Sequence, residues 1–209
     1  MAKGRDSAAA AVASRPACDA VVMTETAGRT LVLLRHAKSA WPDVPDHERP
    51  LAGRGRRDAP VMGRWLRTAG HVPDRVLCST ARRARETWQL AQPALGASPP
   101  VSFEDQVYGA SAEQLLDLVQ QAPRAAKTLL IVGHDPGIPE LALMLAGAAA
   151  PGSGAVPPST VDRMTVKFPT AAIAVLELTG NWDQLGPGAA RLTGFVTPRE
   201  ASAGAPGSS

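Results

Sequence analysis

Runs of branched apolar residues alternate along the chain with segments in which apolar residues recur every three or four positions. The continuous runs predict buried strands at residues 31–34, 75–78, 128–132 and 172–178, with weaker candidates at 101–103 and 191–196, the last at a sheet edge. Helical periodicity is clearest over residues 55–69, where Ala59, Met62, Gly63 and Leu66 share one face. Strands that alternate with helices, without internal repeats, predict one α/β domain.

Prolines and capping residues set the expected helix ends. Pro60 should lie in an early turn of its helix, or the helix should begin near it, because proline cannot donate an interior helical hydrogen bond. Ser79 or Thr80 is expected to cap the next helix, which runs to about residue 90. Asp135 is expected to cap a later helix that has Pro136 at its first position and ends near residue 146.

Three segments lack the patterning of a packed domain. Residues 1–28 are rich in alanine and small polar residues, so we expect a disordered N-terminal extension, with Met23 as a candidate for the native start. Residues 147–160 are rich in Gly, Pro, Ser and Ala and are expected to form a mobile loop. The tail, residues 199–209, is expected to be disordered. These boundaries leave a single domain at residues 29–198.

Composition narrows the class of protein. The 209 residues are 44% hydrophobic, enough for a sizeable core, and no stretch approaches the ~18 apolar residues of a membrane span. Two cysteines are too few for a disulfide scaffold, and the N-terminal alanine run is too short and leucine-poor for a signal peptide. We therefore expect a cytoplasmic protein with no membrane attachment. A net charge of +3, with arginine clusters at 54–57 and 82–85 that lack interleaved aromatics, does not indicate nucleic-acid binding. The sequence leaves the oligomeric state open.

Polar residues follow three of the predicted strands. Arg35 and His36 follow the first, Ser79 and the helix start that contains Arg83 follow the second, and His134 follows the strand at 128–132. Arg35 and His36 alone could be an ordinary loop. If the three strands are parallel neighbours, however, their carboxyl ends place all these side chains around one pocket.

The residue types in this set suit a phosphoryl group. Arginines offer forked donors for phosphate oxygens, histidines offer a nucleophile and a further donor, and a helix N-terminus adds partial positive charge. The sequence has no clustered carboxylates or cysteines that suggest a metal, and no Gly-rich phosphate loop. We therefore expect phosphoryl transfer through histidine without a metal ion or other cofactor, in which arginines neutralise charge.

The motifs resemble those of a known family. Arg35-His36-Ala37, Ser79-x-x-x-Arg83-Ala84-x-x-Thr87 and Gly133-His134 are similar to the signatures of the histidine phosphatase (phosphoglycerate-mutase-like) superfamily. Further stretches resemble its SixA-type phosphohistidine phosphatase branch: 33–39, Asp46-x-x-Arg49-Pro50-Leu51-x-x-Arg54-Gly55, Tyr108-x-Ala110-Ser111, 131–137 and Phe168-Pro169-Thr170. The resemblance covers about residues 29–198. It implies a three-layer sandwich with a mostly parallel central sheet flanked by helices.

The resemblance also implies roles for individual residues. His36 would be the nucleophile and form a phosphohistidine intermediate. Arg35 and Arg83 would hold the phosphoryl oxygens, and His134 would donate to them and stabilise developing charge. Ser39 is either a further phosphate contact or a simple loop cap.

The sequence offers two candidates for a general acid. Larger members of the superfamily carry a carboxylic acid in mid-chain, and the only nearby candidates are Glu104 and Asp105, which could equally be surface carboxylates. SixA-type enzymes generally lack a clear acid. A phosphohistidine substrate makes this tolerable, because an imidazole that is already protonated leaves as the neutral ring, whereas an alkoxide needs a proton donor.

Other polar residues near these motifs keep two interpretations. Asp46, Arg49 and Arg54 could line the pocket mouth or pair with one another. Asp135, beside the pocket, is expected to raise the pKa of His134 and favour its charged form. Four further basic residues are expected to be ordinary surface side chains: Arg82, Arg85, His47 and His71.

The sequence as a whole predicts a hydrolase of phosphoramidate or small phosphomonoester bonds that acts through a covalent phosphohistidine. Its partner would be a phosphorylated substrate, and the resemblance favours phosphohistidine on a protein. Two alternatives are a small-metabolite phosphatase of the same fold and a phosphate-binding module without turnover.

Overall fold

The computed structural model describes residues 28–147 and 156–204. Its strands and helices, in chain order, are β1 Arg29–Arg35, α1 Gly53–Thr68, β2 Arg75–Ser79, α2 Arg82–Leu95, β3 Val101–Glu104, α3 Ala112–Gln120, β4 Thr128–Gly133, α4 Gly137–Leu145, α5 Pro158–Val166, β5 Ile173–Leu178, β6 Arg191–Val196 and α6 Pro198–Ala203. Short 3₁₀ turns occur at Asp46–Glu48, Asp105–Val107 and Trp182–Gln184. No helix within the described ranges combines the length and the apolar character that crossing a bilayer requires.

The described strands form one sheet in the order β3-β2-β4-β1-β5-β6. The pairs β3–β2, β2–β4 and β4–β1 are parallel, and β5 runs antiparallel to both of its neighbours. The three strands that precede the candidate residues, β1, β2 and β4, are therefore adjacent and share a direction. This confirms the expectation that their carboxyl ends meet at one edge of the sheet.

Helices cover both faces of this sheet. Alternate residues of β1 enter different cores: Leu31 and Leu33 face one side, whereas Val32 and Leu34 face the other, and all four are fully buried. The first side is closed by α3, α4 and α5, and the second by α1, α2 and α6. The predicted three-layer α/β fold with a mostly parallel sheet is confirmed. The strands appear in the sequence as continuous apolar runs because they are buried on both faces.

The predicted position of Pro60 within its helix and the predicted cap of α2 are wrong. Helix α1 begins at Gly53, so Pro60 lies in its middle, not in an early turn. The helix survives the missing hydrogen bond because its apolar face packs closely on α2, where a Cβ on Gly63 would lie 2.0 Å from the carbonyl oxygen of Ala91. Helix α2 begins after Ala81 without a side-chain cap. The expected cap, Ser79, lies two residues too early and binds a histidine instead, as described below.

The predicted end of α2 is also wrong. The helix continues through Pro93 to Leu95, instead of stopping near residue 90, and ends at Gly96, which has a left-handed φ of +74°. Leu95 is buried in the core beneath α2, so burial of this last turn outweighs the loss of one helical hydrogen bond at the proline. Gly96 adopts the left-handed conformation that an L side chain would resist, and it ends the helix.

The start of α4 and the chain end differ from expectation as well. Helix α4 begins at Gly137, after Pro136, and the Asp135 side chain does not cap it. Helix α6 occupies part of the tail that we expected to be disordered: Thr197 and Glu200 form a capping box, and Ala201 is buried against the core. That prediction is wrong for residues 199–203, because capping and burial stabilise a segment whose composition is that of a loop.

The expected loop at residues 147–160 is wrong at its end, where α5 begins at Pro158. The helix carries Met164, which is buried in the core, and proline at a first helical position costs no hydrogen bond. Residues 148–155 of this loop, the extension at 1–27 with Met23, and residues 205–209 lie outside the described residues.

Candidate active site

Adjacent parallel strands bring the two predicted histidines together. Arg35 at the end of β1 pairs in register with Gly133 at the end of β4, and the His36 amide donates to the Gly133 carbonyl at 2.9 Å. His36 and His134 follow directly, with ring centroids 5.1 Å apart, and both are more than nine-tenths buried. The sheet register therefore places both imidazoles in one pocket.

Backbone contacts set the tautomer of His36. Its Nδ1 atom lies 2.8 Å from the carbonyl oxygen of Ala37, and because a carbonyl only accepts, Nδ1 carries the proton. Nε2 then carries the free lone pair. Burial, together with the charges of Arg83 and Arg35, lowers the pKa of His36 to about 4, although the Ala37 hydrogen bond opposes this. His36 is thus a neutral imidazole with a nucleophilic Nε2 at neutral pH.

His134 is held through its other nitrogen. Its Nε2 lies 2.7 Å from Oγ of Ser79, and this oxygen also accepts the Ala81 amide at 3.2 Å. Its Nδ1 is buried and has no hydrogen-bond partner among the described residues. Burial, reinforced by the nearby positive groups, lowers the pKa of His134 to about 3. The expectation that Asp135 favours the charged form is wrong, because the Asp135 carboxylate turns to Arg35 instead.

Arg35 lies at the same edge of the sheet. Its Nη1 donates to the carbonyl oxygen of Phe168, and its Nη2 lies 3.4 Å from Oδ2 of Asp135. Its Nε is buried without a partner in the described part of the chain. Since a buried N–H without a partner is costly, this donor suits an anion that enters the pocket.

Arg83 projects into the pocket from the first turn of α2, on the neighbouring strand–helix connection. Its side chain is 9% exposed. Its Nη1 donates to the backbone carbonyl of Asp46 at 2.7 Å, and its Nη2 donates to Oδ2 of the same residue at 2.9 Å. The sequence predicted that Arg83 lies in this pocket, but it did not predict the pairing of Arg83 with Asp46.

The structure resolves the two interpretations of Arg49 and Arg54. Arg49 is buried and pairs with Asp46 at 2.7 Å, while its Nη2 donates to Oγ of Ser39 at 2.8 Å. Its guanidinium also lies 3.2 Å from the ring centroid of Trp41. Arg54 takes no part, because it is exposed and pairs with Asp58 on its own helix. The hydroxyl of Ser39 thus binds Arg49, and a contact between Ser39 and phosphate stays a prediction.

Tyr108 is a pocket residue that the chemical argument from sequence missed. Its hydroxyl donates to Oδ2 of Asp46 at 2.9 Å, which raises the pKa of the phenol, and its ring meets that of His134 edge-on at 5.5 Å. The ring of His47 also meets the Tyr108 ring edge-on, with centroids 5.0 Å apart. The one signal in the sequence was the short motif Tyr108-x-Ala110-Ser111.

The candidate acids lie next to Ser79 and Thr80, at the carboxyl end of β2. Asp105 accepts a hydrogen bond from Thr80 at 2.6 Å, and Glu104 ends β3 opposite Ser79 in the register. No hydrogen bond in the described structure joins either carboxylate to His36 or His134, and their role as acid stays a prediction. Among the described residues, no three His, Cys, Asp or Glu side chains are grouped so that they could hold a metal ion.

The four residues expected at the surface divide into two kinds. Arg82 is exposed and pairs with Glu86, and Arg85 beside it is only partly buried. His71 is half-buried against Trp65. His47 was underestimated: its Nε2 lies 3.0 Å from the Thr80 hydroxyl, so it belongs to the pocket rim.

Comparisons with known proteins agree with this geometry. The family described as the histidine phosphatase superfamily (branch 1) matches residues 31–107, which include Arg35, His36 and Arg83. Protein Rv1276c of Mycobacterium tuberculosis is 43% identical over 167 residues, 79% of this chain and 100% of that one. The solved SixA structure from Nakamurella multipartitia is 37% identical, with a TM-score of 0.69 over 82% of this chain and 96% of that chain. The chain belongs to the histidine phosphatase superfamily, in its SixA-type branch.

A second SixA structure, from Agrobacterium tumefaciens, is 28% identical, with a TM-score of 0.65 over 81% of this chain and 98% of that chain. The protein is accordingly a phosphatase, and its substrate carries a phosphoryl group. His134 lies beyond the residues matched by the family model, and the sheet register supplies it to the histidine phosphatase pocket.

Proposed function

We propose that this histidine phosphatase hydrolyses phosphohistidine on proteins through a covalent phosphohistidine at His36, without a metal ion. The observation that carries the proposal is the hydrogen bond from His36 Nδ1 to the Ala37 carbonyl, which leaves Nε2 as a neutral nucleophile. Arg35, Arg83 and His134 surround it as donors for phosphoryl oxygens.

The reaction has two steps. Nε2 of His36 attacks phosphorus, and the bond from phosphorus to the leaving nitrogen breaks, with its electron pair staying on that nitrogen. Water then attacks the phosphorus, the bond to Nε2 breaks, and phosphate leaves with the hydroxyl group of the water while the second proton goes to solvent. In both steps the guanidinium groups of Arg35 and Arg83 neutralise the charge of the equatorial oxygens, the task that magnesium performs in other phosphoryl-transfer enzymes.

The chemistry of the leaving group favours phosphohistidine as the substrate. A protonated imidazole leaves as a neutral ring, so the reaction does not depend on a positioned acid. The candidate acids, Glu104 and Asp105, make no hydrogen bond to either pocket histidine, which is consistent with a substrate that needs none. The SixA-type resemblance points to the same substrate class.

The test compares two kinds of substrate and one pair of variants. Purified protein is assayed with a phosphohistidine peptide and with an aryl phosphate, in the presence and absence of EDTA. We expect turnover of both, a higher kcat/KM for the peptide, and no effect of EDTA. The variant His36→Asn should lose at least ~10³-fold in kcat and form no acid-labile phosphoenzyme.

A matched control is His71→Asn, which changes a half-buried histidine outside the pocket and should keep the full rate. Full activity in His36→Asn would contradict the covalent mechanism. Preference for the aryl phosphate or for small metabolites would replace the protein substrate by a small phosphomonoester. Binding of phosphate without any turnover would mean a non-catalytic module.

A further inference from the structure

A single carboxylate organises the mouth of the pocket. Oδ1 of Asp46 accepts from Arg49 at 2.7 Å, while Oδ2 accepts from Arg83 at 2.9 Å and from the Tyr108 hydroxyl at 2.9 Å. These partners come from three separate parts of the chain. Asp46 is therefore the point at which the rim loop, helix α2 and the segment after β3 are joined.

The loop that carries Asp46 is anchored at both ends. The Ala40 amide donates to the Pro50 carbonyl at 2.9 Å, and the Ala52 amide donates to the Lys38 carbonyl at 2.8 Å. These two hydrogen bonds close the base of the loop at residues 40–50, here called the rim loop. The closed base of this loop holds Asp46 at a defined place, seven residues after Ser39.

Arg83 depends on this loop for its orientation. Both hydrogen bonds that the described structure gives to its guanidinium end on Asp46, one on the backbone carbonyl and one on the carboxylate. The guanidinium has five N–H donors, so two are used for anchoring and the others are left for an anion. Ordering a long arginine side chain costs conformational entropy, which Asp46 removes before the substrate arrives.

We propose that Asp46 is a positioning residue, which orients Arg83 so that its remaining donors meet the phosphoryl group. The proposal rests on the proposed function to the extent that Arg83 binds phosphoryl oxygens. It predicts that Asp46 aids anion binding although its own charge repels an anion. The opposite arrangement, in which Asp46 competes for Arg83 as an internal anion, predicts the reverse sign.

The charge of Asp46 does not change over the range in which the enzyme would work. Hydrogen bonds from Arg49 and Tyr108, with the charge of Arg83, lower the pKa of Asp46 to about 2. Its side chain is nevertheless 51% exposed, so its replacement leaves no large cavity. Variants at this position therefore test orientation and charge rather than folding.

The experiment measures the Kd of inorganic phosphate by titration calorimetry, which needs no turnover. Asp46→Ala and Asp46→Asn are compared with Asp43→Asn. Asp43 is exposed in the same rim loop, and its carboxylate makes no hydrogen bond to any described residue. Each is measured with Arg83 intact and with Arg83→Met, which keeps the length of the side chain and removes the guanidinium. Thermal melts confirm that every variant is folded.

We expect Asp46→Ala to raise the Kd about tenfold when Arg83 is present, the size of one charge-assisted hydrogen bond, and less than about twofold in the Arg83→Met background. Asp46→Asn keeps one acceptor and should have an intermediate effect, while Asp43→Asn should leave the Kd unchanged. NMR provides a second measurement, which does not need a folded Arg83→Met variant. The guanidinium protons of Arg83 should exchange with solvent faster in Asp46→Ala than in the native protein.

Two outcomes would overturn the proposal. Tighter phosphate binding by Asp46→Ala would show that Asp46 is a competing anion. An equal change in both Arg83 backgrounds would show that Asp46 acts independently of Arg83. Neither outcome bears on the proposed function, which is tested by the phosphoenzyme at His36. If no phosphoenzyme forms, the phosphate titration still tests whether Asp46 orients Arg83.

Discussion

Nδ1 of His36 donates to the carbonyl oxygen of Ala37, the next residue, at 2.8 Å. This short-range contact has a large chemical consequence, since it directs the lone pair of the ring to Nε2. It is stable because the Ala37 amide is itself tied to Oγ1 of Thr87 at 2.9 Å, on helix α2. The segment that carries His36 and the helix that carries Arg83 are thus connected through one hydroxyl.

The first prediction concerns the pH dependence of the rate. Since the pKa of His36 is about 4, its imidazole stays neutral when the pH falls from 7 to 5, and the proposed nucleophile remains available. We expect kcat/KM, which reports the free enzyme, to change by less than about twofold over this range after correction for the ionisation of the substrate. An enzyme pKa near 6.5 in this profile would mean that burial and the arginines do not act on His36 as described.

The second prediction concerns stability. His36 and His134 have pKa values below the 6.5 of an unfolded histidine. As the pH falls below 6.5, the unfolded chain therefore binds more protons than the native protein does. The contribution of these two histidines to the free energy of unfolding is complete above pH 6.5 and decreases as the pH falls towards 4. We expect the free energy of unfolding to fall by on the order of 2 kcal/mol between pH 6.5 and pH 5, measured by urea denaturation.

The variant His36→Asn is the comparison for this second prediction. It removes one of the two depressed histidines, so its loss of stability over the same pH interval should be about half that of the native protein. His71, whose pKa is also lowered by burial, is present in both proteins and cancels. Parallel curves for the two proteins would contradict the prediction.

The third prediction concerns the support of His134. Ser79→Ala removes the oxygen that lies 2.7 Å from His134 Nε2 and leaves both ring nitrogens without a protein partner. We expect kcat/KM to fall roughly tenfold, which corresponds to ~1.4 kcal/mol of transition-state stabilisation. Ser102→Ala, on the adjacent strand and bonded to Arg75, is the matched control and should keep the native rate.

The fourth prediction concerns the contact between α1 and α2. A Cβ on Gly63 would lie 2.0 Å from the carbonyl oxygen of Ala91, so Gly63→Ala must push the helices apart. We expect a loss of about 1–3 kcal/mol in the free energy of unfolding, in spite of the better helix propensity of alanine. Gly53→Ala, at the start of the same helix and with its nearest neighbour 3.6 Å away, should be neutral or stabilising.

Elements defined by local patterns were predictable from the sequence. The continuous apolar runs located β1, β2 and β4 within a residue or two, because strands buried on both faces leave an unbroken signature. Helix boundaries were less predictable. Pro60 and Pro93 both lie inside helices, where packing against the core outweighs local propensity, and α6 is stabilised by a buried alanine that composition could not reveal.

The sequence by itself determined which polar residues stand at the carboxyl ends of strands: Arg35 and His36 at the end of β1, His134 after β4, and Arg83 at the helix start after β2. These positions depend on strand direction, which the alternation of strands and helices already implies. Only the tertiary structure decided what holds them. Asp46 reaches Arg83 across 37 residues and Tyr108 across 62, and contacts between such distant segments follow from how the chain packs, not from any local pattern.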